Sequence, residues 1–161
     1  MRFADKIAVV TGASSGIGWE IVRKLAAQKC HVGLIARRRD KLETLAAECR
    51  AQGVRAAVAV ANVADRQETL TAFRELREAL GPIDLLVACS GVGIPTPLEP
   101  MDGAAVDNMI RVNFLGVVYA IEGVLPEMVT RKTGHISAIS SLAAYKAMPG
   151  ESGYCSSKAA V

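Results

Sequence analysis

Five short apolar runs alternate along the chain with longer segments in which apolar residues recur at helical spacing. The runs contain few polar residues, which is typical of strands buried on both faces of a sheet. They are Ile7 to Thr11, Val32 to Ala36, Ala56 to Val60, Leu85 to Cys89 and Ile136 to Ser140. This alternation predicts a doubly wound α/β fold, in which right-handed crossovers place helices on both faces of a parallel sheet.

Helical patterns separate the first four strands. In each pattern, apolar residues lie three or four positions apart and therefore share one face. We interpret Asp40 as the N-cap of the second helix, because Glu43 follows three residues later. Gly53 and Gly81 are expected to end the second and third helices.

The segment between the fourth and fifth strands is much longer than the others. After a loop with three prolines, a single helix is predicted from about Ala104 to Arg131. This helix is apolar around much of its circumference, which predicts burial against the sheet and a second surface. No uninterrupted apolar stretch approaches the roughly 18 residues of a membrane helix, so we expect no membrane association.

A glycine-rich loop follows the first strand and leads directly into the first helix. Residues 11–18 read T-G-A-S-S-G-I-G. Glycines let the backbone approach a ligand closely, and a helix N-terminus presents free N–H groups to phosphate. Between the first strand and first helix, this motif favours a dinucleotide site over a simple turn. The residues expected to line the site are Gly12, Ser14, Ser15, Gly16, Ile17 and Gly18.

The end of the second strand predicts which dinucleotide is preferred. An NAD site usually carries a carboxylate about 20 positions on, which binds the ribose 2′-hydroxyl. Here Ala36 is followed by Arg37, Arg38 and Arg39. A guanidinium can pair with a 2′-phosphate through two hydrogen bonds. We therefore predict NADP(H) as the preferred cofactor and NAD(H) as a possible one, with Arg37 as the main contact, Arg38 second and Arg39 facing solvent.

Tyr154 and Lys158 are four residues apart in a segment that is predicted to be helical, so they share one face. An isolated tyrosine has a pKa of about 10, too high for a base at neutral pH, but a neighbouring ammonium favours the phenolate. The pair is suited to proton transfer between a carbonyl and an alcohol. Without further motifs, a surface tyrosine and lysine would be the simpler explanation.

The motifs together resemble the classical branch of the short-chain dehydrogenase/reductase family over the whole length of the chain. Besides the glycine loop, the resemblance rests on Asn113 in V-N-F-L-G, the pair Ser140 and Ser141, and the motif from Tyr154 to Lys158. The family's serine lies 13 residues before its tyrosine, which selects Ser141. The resemblance implies a Rossmann fold with strand order 3-2-1-4-5 and an NADP(H)-dependent oxidoreductase acting on a small-molecule ketone or secondary alcohol.

The resemblance also implies a role for each of four catalytic residues. Tyr154 exchanges a proton with the substrate oxygen, and Ser141 donates a hydrogen bond to that oxygen as charge develops. Lys158 binds the nicotinamide ribose and favours the tyrosine phenolate. Asn113 interrupts the long helix and holds a water that links Lys158 to solvent. Asn113, Tyr154 and Lys158 are therefore also expected cofactor contacts.

Two segments depart from the family pattern. After the fourth strand, the family's N-N-A-G is replaced by A-C-S-G, which keeps Gly91 but loses both amide side chains. After the third strand, the family's D-V is replaced by Asn62 and Val63, and the asparagine oxygen can still accept a hydrogen bond from adenine. We expect Asn62, Val63, Ser90 and Gly91 to contact the cofactor.

Composition agrees with one folded domain. The chain has 161 residues, 51% of them hydrophobic and 22% charged, with a net charge of +3. It shows no basic stripe with interleaved aromatics, so no nucleic-acid partner is expected. Its four cysteines form no C-x-x-C pair, which predicts reduced thiols and no metal site. Because the residues before the first strand are charged rather than apolar, we expect no secretory signal and a cytoplasmic protein.

Two other functions share these motifs and stay open: reduction of 3-oxoacyl thioesters on acyl carrier protein, and a non-catalytic dinucleotide-binding or scaffold fragment. The resemblance implies a homodimer or homotetramer of the full-length form, paired through the long helix and the tyrosine helix. The family's sheet continues beyond the fifth strand. We therefore expect residues 1–161 to be a single NAD(P)-binding domain that is incomplete at its C-terminus, with the last strands and most substrate-specificity residues missing.

Overall fold

A computed structural model of the chain describes residues 3–161; the predicted domain 1–161 also includes Met1 and Arg2, which lie outside the described residues. Five parallel strands form one sheet in the order β3-β2-β1-β4-β5, as predicted. The strands are β1 (Ile7–Thr11), β2 (His31–Ala36), β3 (Ala56–Val60), β4 (Leu85–Ala88) and β5 (His135–Ala138).

Strand boundaries agree with the hydrophobic runs to within two residues. β2 and β5 begin one residue before the predicted start, at His31 and His135. β4 ends at Ala88 rather than Cys89, because the Cys89 N–H donates to the Thr11 hydroxyl at 3.1 Å. β5 ends two residues early, at Ala138, before the segment that contains Ser140 and Ser141.

Within residues 3–161, six α-helices cover the sheet and its carboxyl edge. They are α1 (Gly16–Ala27), α2 (Arg39–Ala51), α3 (Arg66–Leu80), α4 (Gly103–Ile110), α5 (Gly116–Arg131) and α6 (Ser152–Ala159). The helix stops are confirmed: Gly53 follows α2 and Gly81 ends α3, both at positive φ. The interpretation of Asp40 as an N-cap is wrong. Arg38 occupies that position, and Asp40 lies in the first turn, where its charge still complements the helix dipole.

The long helix predicted from Ala104 to Arg131 is divided in two. A π-helical segment, Arg111–Leu115, separates α4 from α5. Asn113 lies within this segment and is fully buried, so the implied interruption at Asn113 is confirmed. Apolar residues such as Val112 and Phe114 continue through this segment, so the apolar pattern of the sequence does not mark it. Such π turns are frequent at functional sites.

The sheet separates two hydrophobic cores. On one face, side chains such as Val10 and Leu34 pack with residues of α1 and α2. On the other face, Phe73 of α3 packs with Val124 of α5. The packing favours glycine at position 33 in β2, because a Cβ there would lie only 3.0 Å from the side chains of Leu76 and Val9. These two layers hold the strand ends, and thus the loops that follow them, in fixed positions.

Counted through the π-helical segment, Gly103–Arg131 spans 29 helical residues and is apolar enough to cross a membrane by length and composition alone. Within the fold, however, this stretch includes the buried Asn113, and α5 packs against α3 and β4. Arg77 of α3 pairs with Glu127 of α5 at 3.0 Å. The packing and the ion pair are those of a core helix of an α/β domain.

Candidate active site

A cavity of about 590 Å³ lies at the carboxyl edge of the sheet. The loops that follow all five strands contribute to its wall, and Tyr154 and Lys158 of α6 also line it. The crevice at the carboxyl ends of parallel strands is where open α/β sheets bind ligands. The volume falls within the range of about 300–1,000 Å³ that is usual for cofactor and substrate pockets.

The glycine loop also lines this cavity, and its glycines are required by the geometry. Gly12 has φ of 71°, and a Cβ on it would lie 2.8 Å from the Cα of Ser90. A Cβ on Gly18 would lie 2.5 Å from the Gly12 carbonyl oxygen. Gly16, at φ of 57°, shapes the turn and is not among the lining residues. The other five predicted residues line the cavity: Gly12, Ser14, Ser15, Ile17 and Gly18.

The N-terminus of α1 opens toward the glycine loop. Its N-cap, Ser15, has extended backbone and makes no side-chain capping hydrogen bond. The first N–H groups of a helix have no partner within the helix. An anionic group in the loop would therefore meet unused donors and the positive end of the helix dipole.

Two of the three arginines after β2 reach the cavity. Arg37 and Arg38 both line it. The Arg38 guanidinium donates to the hydroxyl of Ser15 at 2.7 Å and to that of Ser14 at 3.0 Å, which ties β2 to the glycine loop. Arg39 lies beside Glu43 at 4.0 Å with a largely exposed side chain, the solvent-facing position that the sequence predicted.

Residues after β3 and β4 form the middle of the cavity wall. Asn62, Val63, Ser90 and Gly91 all line it, as predicted. The Asn62 side-chain oxygen accepts the Ala64 N–H at 3.2 Å, which fixes its orientation and leaves one lone pair for a ligand. The loop after β4 is held close to β1 by Thr11, whose hydroxyl accepts the N–H groups of Cys89 and Ser90.

Lys158 is buried, with 5% of its surface exposed, although it carries an ammonium group. Its Nζ donates to the Ile139 carbonyl oxygen at 2.8 Å, and two N–H bonds remain to meet a ligand. Burial lowers the pKa of Lys158 from its ordinary value, and the nearby Cys89 acts in the opposite direction. A lysine with a lowered pKa gives up its proton more readily, which suits a group in a proton path.

Tyr154 lies one helical turn before Lys158 and is half-buried at the cavity. Gly93 faces its ring, because a Cβ on that glycine would lie 3.7 Å from the Tyr154 Cδ2 atom. A Cβ on Gly91 would lie 3.5 Å from the Lys158 ammonium. The loop after β4 therefore runs directly beside both side chains, and its glycines leave that space open.

The two serines after β5 have different partners. Ser140 lines the cavity, but its hydroxyl donates to the Lys158 carbonyl oxygen at 2.8 Å. The Ser141 hydroxyl accepts the Ala143 N–H at 3.2 Å at the start of a short 3₁₀ turn, Leu142–Ala144. Ser141 is not among the lining residues. The Ser141 hydroxyl hydrogen therefore remains available to donate, whereas the Ser140 hydroxyl hydrogen is already donated to the Lys158 carbonyl oxygen.

Asn113 is a structural link and does not line the cavity. Its side-chain oxygen accepts the Val92 N–H at 2.8 Å, and its amide donates to the Val92 oxygen at 2.9 Å. The same amide donates to the hydroxyl of Ser157 at 2.8 Å. Ser157 in turn donates to the Tyr154 carbonyl oxygen at 2.8 Å.

Ser157 and Thr11 are site residues that the sequence analysis missed. Both are buried polar residues inside a motif, Thr11 at the start of the glycine motif and Ser157 just before Lys158. Their positions within the motifs are the available signal, since a buried hydroxyl must find partners. Which partners they find depends on elements far apart in sequence.

The cysteine side chains are free thiols. Burial raises the pKa of Cys30 and of Cys49 to about 11. Cys89 lines the cavity, and burial raises its pKa as well. Among residues 3–161, no group of three or more His, Cys, Asp or Glu side chains is placed to hold a metal ion.

The site fits a dinucleotide on its own geometry. Gly12 and Gly18 let the glycine loop pack against Ser90 and against itself, and Gly91 runs beside the Lys158 ammonium. Unused helix N–H groups, two guanidinium groups, an ammonium and a phenol border the same cavity. A dinucleotide, which combines phosphates with sugar hydroxyls, matches this set of groups.

Residues 6–161 match the family model of the short chain dehydrogenases. The chain therefore belongs to the short-chain dehydrogenase family.

Curated relatives in this family are moderately similar. Glycine betaine reductase ATRR of Emericella nidulans is 40% identical over 155 residues, 96% of this chain but 12% of that protein. An uncharacterized oxidoreductase of Staphylococcus saprophyticus is 37% identical over 164 residues, 100% of this chain and 69% of that protein. The 3-oxoacyl-acyl-carrier-protein reductase of Staphylococcus epidermidis is 34% identical over 158 residues, covering 98% of this chain and 65% of that protein.

Two solved structures similar to this chain contain a nicotinamide dinucleotide. An NAD+-bound xylitol dehydrogenase superposes with a TM-score of 0.94 at 27% identity, covering 99% of this chain and 62% of that one. A metagenomic short-chain oxidoreductase in complex with NADP superposes with a TM-score of 0.93 at 34% identity, covering 99% of this chain and 73% of that one.

Proposed function

We propose that this chain belongs to an NADP(H)-dependent oxidoreductase that interconverts a small-molecule ketone and a secondary alcohol. The observation that carries the proposal is that residues of the glycine loop line the same cavity as Tyr154 and Lys158. The NAD+-bound and NADP-bound relatives support a nicotinamide dinucleotide as the ligand. Such a cofactor supplies or accepts the hydride, and the protein's part is to position groups and move a proton.

Tyr154 is the proposed acid and base. In reduction its phenol gives a proton to the substrate oxygen, and in oxidation the phenolate takes it back. Lys158 lies one turn away on the same helix, and its ammonium favours the phenolate. Lys158 donates one N–H to the Ile139 carbonyl oxygen. Its other two N–H groups have no hydrogen-bond partner within residues 3–161, and we assign them to the nicotinamide ribose.

Ser141 is the proposed donor to the substrate oxygen. Its hydroxyl accepts the Ala143 N–H, which leaves its hydrogen free, whereas Ser140 has donated its own to Lys158. A donor aimed at the oxygen stabilises the charge that develops there. Asn113 holds α6 against the loop after β4 in this proposal, and the water that the family places beside it would connect Lys158 to solvent.

NADP(H) is the proposed cofactor over NAD(H), because no carboxylate follows β2 and Arg37 lies at its end. Arg38 is engaged with Ser14 and Ser15, so it acts mainly by ordering the glycine loop. Arg37, exposed at the cavity edge, is then the group that meets the 2′-phosphate.

The whole protein's substrate and assembly are also proposals, since the chain spans 61–69% of several relatives and far less of the fungal reductase. The staphylococcal relative favours 3-oxoacyl thioester reduction as a second candidate. A binding-only role is disfavoured because it needs neither Tyr154 nor Lys158. Exposed Val118, Leu125 and Val129 on α5 favour a homodimer or homotetramer.

The test is a hydride-transfer assay. The full-length gene product and the chain 1–161 are incubated with NADPH or NADH and a panel of ketones that includes a 3-oxoacyl thioester. We expect oxidation of NADPH in preference to NADH with at least one ketone. Binding of NADPH without turnover on any carbonyl compound would instead establish the binding-only role.

A further inference from the structure

The helix that carries Tyr154 lacks a cap of its own. The N-cap residue of α6, Glu151, makes no side-chain hydrogen bond to the helix. Helix N-termini leave their first N–H groups without intrahelical partners, and a Ser, Thr, Asp or Asn at the N-cap usually satisfies one of them. In α6 the missing acceptor comes from elsewhere in the chain.

That acceptor is Thr96, in the loop after β4. Its hydroxyl accepts the Gly153 N–H at 3.3 Å and lies 2.9 Å from the Ser152 hydroxyl. Its own N–H donates to the Gly150 carbonyl oxygen at 2.6 Å, and its hydroxyl lies 3.3 Å from the same oxygen. The side chain is 5% exposed, so these contacts are shielded from water.

The contact fixes the segment immediately before Tyr154. A Cβ on Gly153 would lie 3.3 Å from the Thr96 methyl group and 2.5 Å from the Met109 Cε atom. Gly153 is therefore pressed between α4 and Thr96, and Tyr154 is the next residue. Gly93, three residues before Thr96, faces the Tyr154 ring. One loop thus holds the start of the helix and borders the phenol.

We propose that Thr96 is a positioning residue for Tyr154: its hydroxyl caps the tyrosine helix from the loop after β4 and so sets where the phenol lies in the cavity. The proposal rests on the proposed function, since Tyr154 must take part in the reaction for its position to affect turnover. Small errors in the placement of a reacting group reduce the rate far more than they reduce ligand binding.

Three variants test it. Thr96→Val keeps the shape and methyl group but removes the hydroxyl, and Thr96→Ser keeps the hydroxyl. Thr130→Val is the matched control, because Thr130 donates only within α5, to the Pro126 oxygen, at an exposed site. For each variant, kcat and KM are measured with the ketone that the parent reduces, and the Kd of NADPH is measured separately.

We expect kcat of Thr96→Val to fall about tenfold while the Kd of NADPH changes less than about twofold, since the glycine loop is untouched. Thr96→Ser and Thr130→Val should stay within about twofold of the parent. A Thr96→Val variant with parental kcat, or a Thr96→Ser variant as slow as Thr96→Val, would overturn the proposal. If Thr96→Val does not fold, Thr96→Ala is the test, because it also removes the hydroxyl that accepts the Gly153 N–H. Its kcat is expected to fall about tenfold, and parental turnover would overturn the proposal.

A readout without turnover separates this proposal from the proposed function. The Cζ resonance of Tyr154 in tyrosine-labelled protein, assigned through Tyr154→Phe, reports the environment of the phenol. We expect Thr96→Val to shift this resonance and Thr96→Ser to leave it in place. A parent that turns over no carbonyl compound contradicts the proposed function alone, whereas an unshifted resonance in Thr96→Val contradicts the role of Thr96.

Discussion

The Asn113 side chain donates a 2.8 Å hydrogen bond to the Ser157 hydroxyl, across 44 residues of sequence. The Ser157 hydroxyl in turn donates a hydrogen bond to the Tyr154 carbonyl oxygen. The same Asn113 carboxamide pairs with both the N–H and the oxygen of Val92. The π turn, the loop after β4 and the tyrosine helix thus meet at one buried carboxamide.

Replacement of Asn113 by alanine should therefore destabilise the fold. It leaves the Val92 backbone groups and the Ser157 hydroxyl without this partner, and each buried group so stranded costs about 1–3 kcal/mol. We expect Asn113→Ala to lower the free energy of unfolding by about 3 kcal/mol in urea denaturation. Asn108→Ala, at an exposed position on α4, should change it by less than about 0.5 kcal/mol. Equal losses in both variants would contradict this role.

The three arginines after β2 should differ in their effect on cofactor binding. We expect Arg37→Ala to raise the Kd of NADPH about tenfold with little change for NADH, because one phosphate contact is lost. Arg38→Ala should weaken both dinucleotides, because it releases Ser14 and Ser15. Arg39→Ala serves as the control and should change neither. Calorimetric titration with each dinucleotide measures the effects; equal losses for NADPH and NADH in Arg37→Ala would remove the 2′-phosphate assignment.

Cysteine alkylation offers a test of where the cofactor binds. Cys30 and Cys49 are buried with pKa values raised to about 11, so both should resist iodoacetamide in the folded chain. Cys89 lines the cavity, whereas Cys155 does not. We expect NADPH to slow modification of Cys89 severalfold and to leave Cys155 unchanged, as measured by mass spectrometry. Equal protection of both thiols, or of neither, would place the dinucleotide elsewhere.

The buried Lys158 should make stability depend on pH. Its pKa is lowered in the folded state from 10.5, so in the window between the lowered value and 10.5 the unfolded chain binds the proton more tightly. The contribution of Lys158 to the free energy of unfolding therefore rises with pH across that window. At neutral pH the buried charge is a cost, which Lys158→Met removes.

We accordingly expect Lys158→Met to be more stable than the parent at neutral pH, with the difference shrinking as the pH approaches 10.5. Comparing the two proteins cancels the contributions of the other titrating groups, the buried thiols included. Urea denaturation at a series of pH values measures the difference. A difference that does not vary with pH would mean that Lys158 titrates alike in both states.

The hydrophobic pattern was sufficient to predict the sheet, because strands buried on both faces appear as continuous apolar runs. It was insufficient at Asn113, since a π turn adds one residue without breaking the apolar pattern of the long helix. Local rules also misplaced the N-cap of α2: Asp40 satisfies the spacing, but Arg38 is held at the cap position by its bonds to Ser14 and Ser15.

Sequence motifs predicted part of the cavity lining for a similar reason. The glycine loop and the pair Tyr154 and Lys158 are each local in sequence, and a single strand–turn–helix or helix positions them. The contacts of Thr96, Ser157 and Arg38 each join segments more than 20 residues apart. No local pattern contains such a contact, so these roles emerge only once the chain is folded.

The most direct test of the account is the turnover of Tyr154→Phe beside Tyr145→Phe, whose tyrosine is 92% exposed. The Tyr154→Phe substitution removes one hydroxyl from the cavity and leaves the glycine loop intact. We predict a loss of kcat of about a hundredfold or more in Tyr154→Phe, an unchanged Kd for NADPH, and parental turnover in Tyr145→Phe. Parental turnover in Tyr154→Phe would contradict the assignment of the proton transfer to this residue.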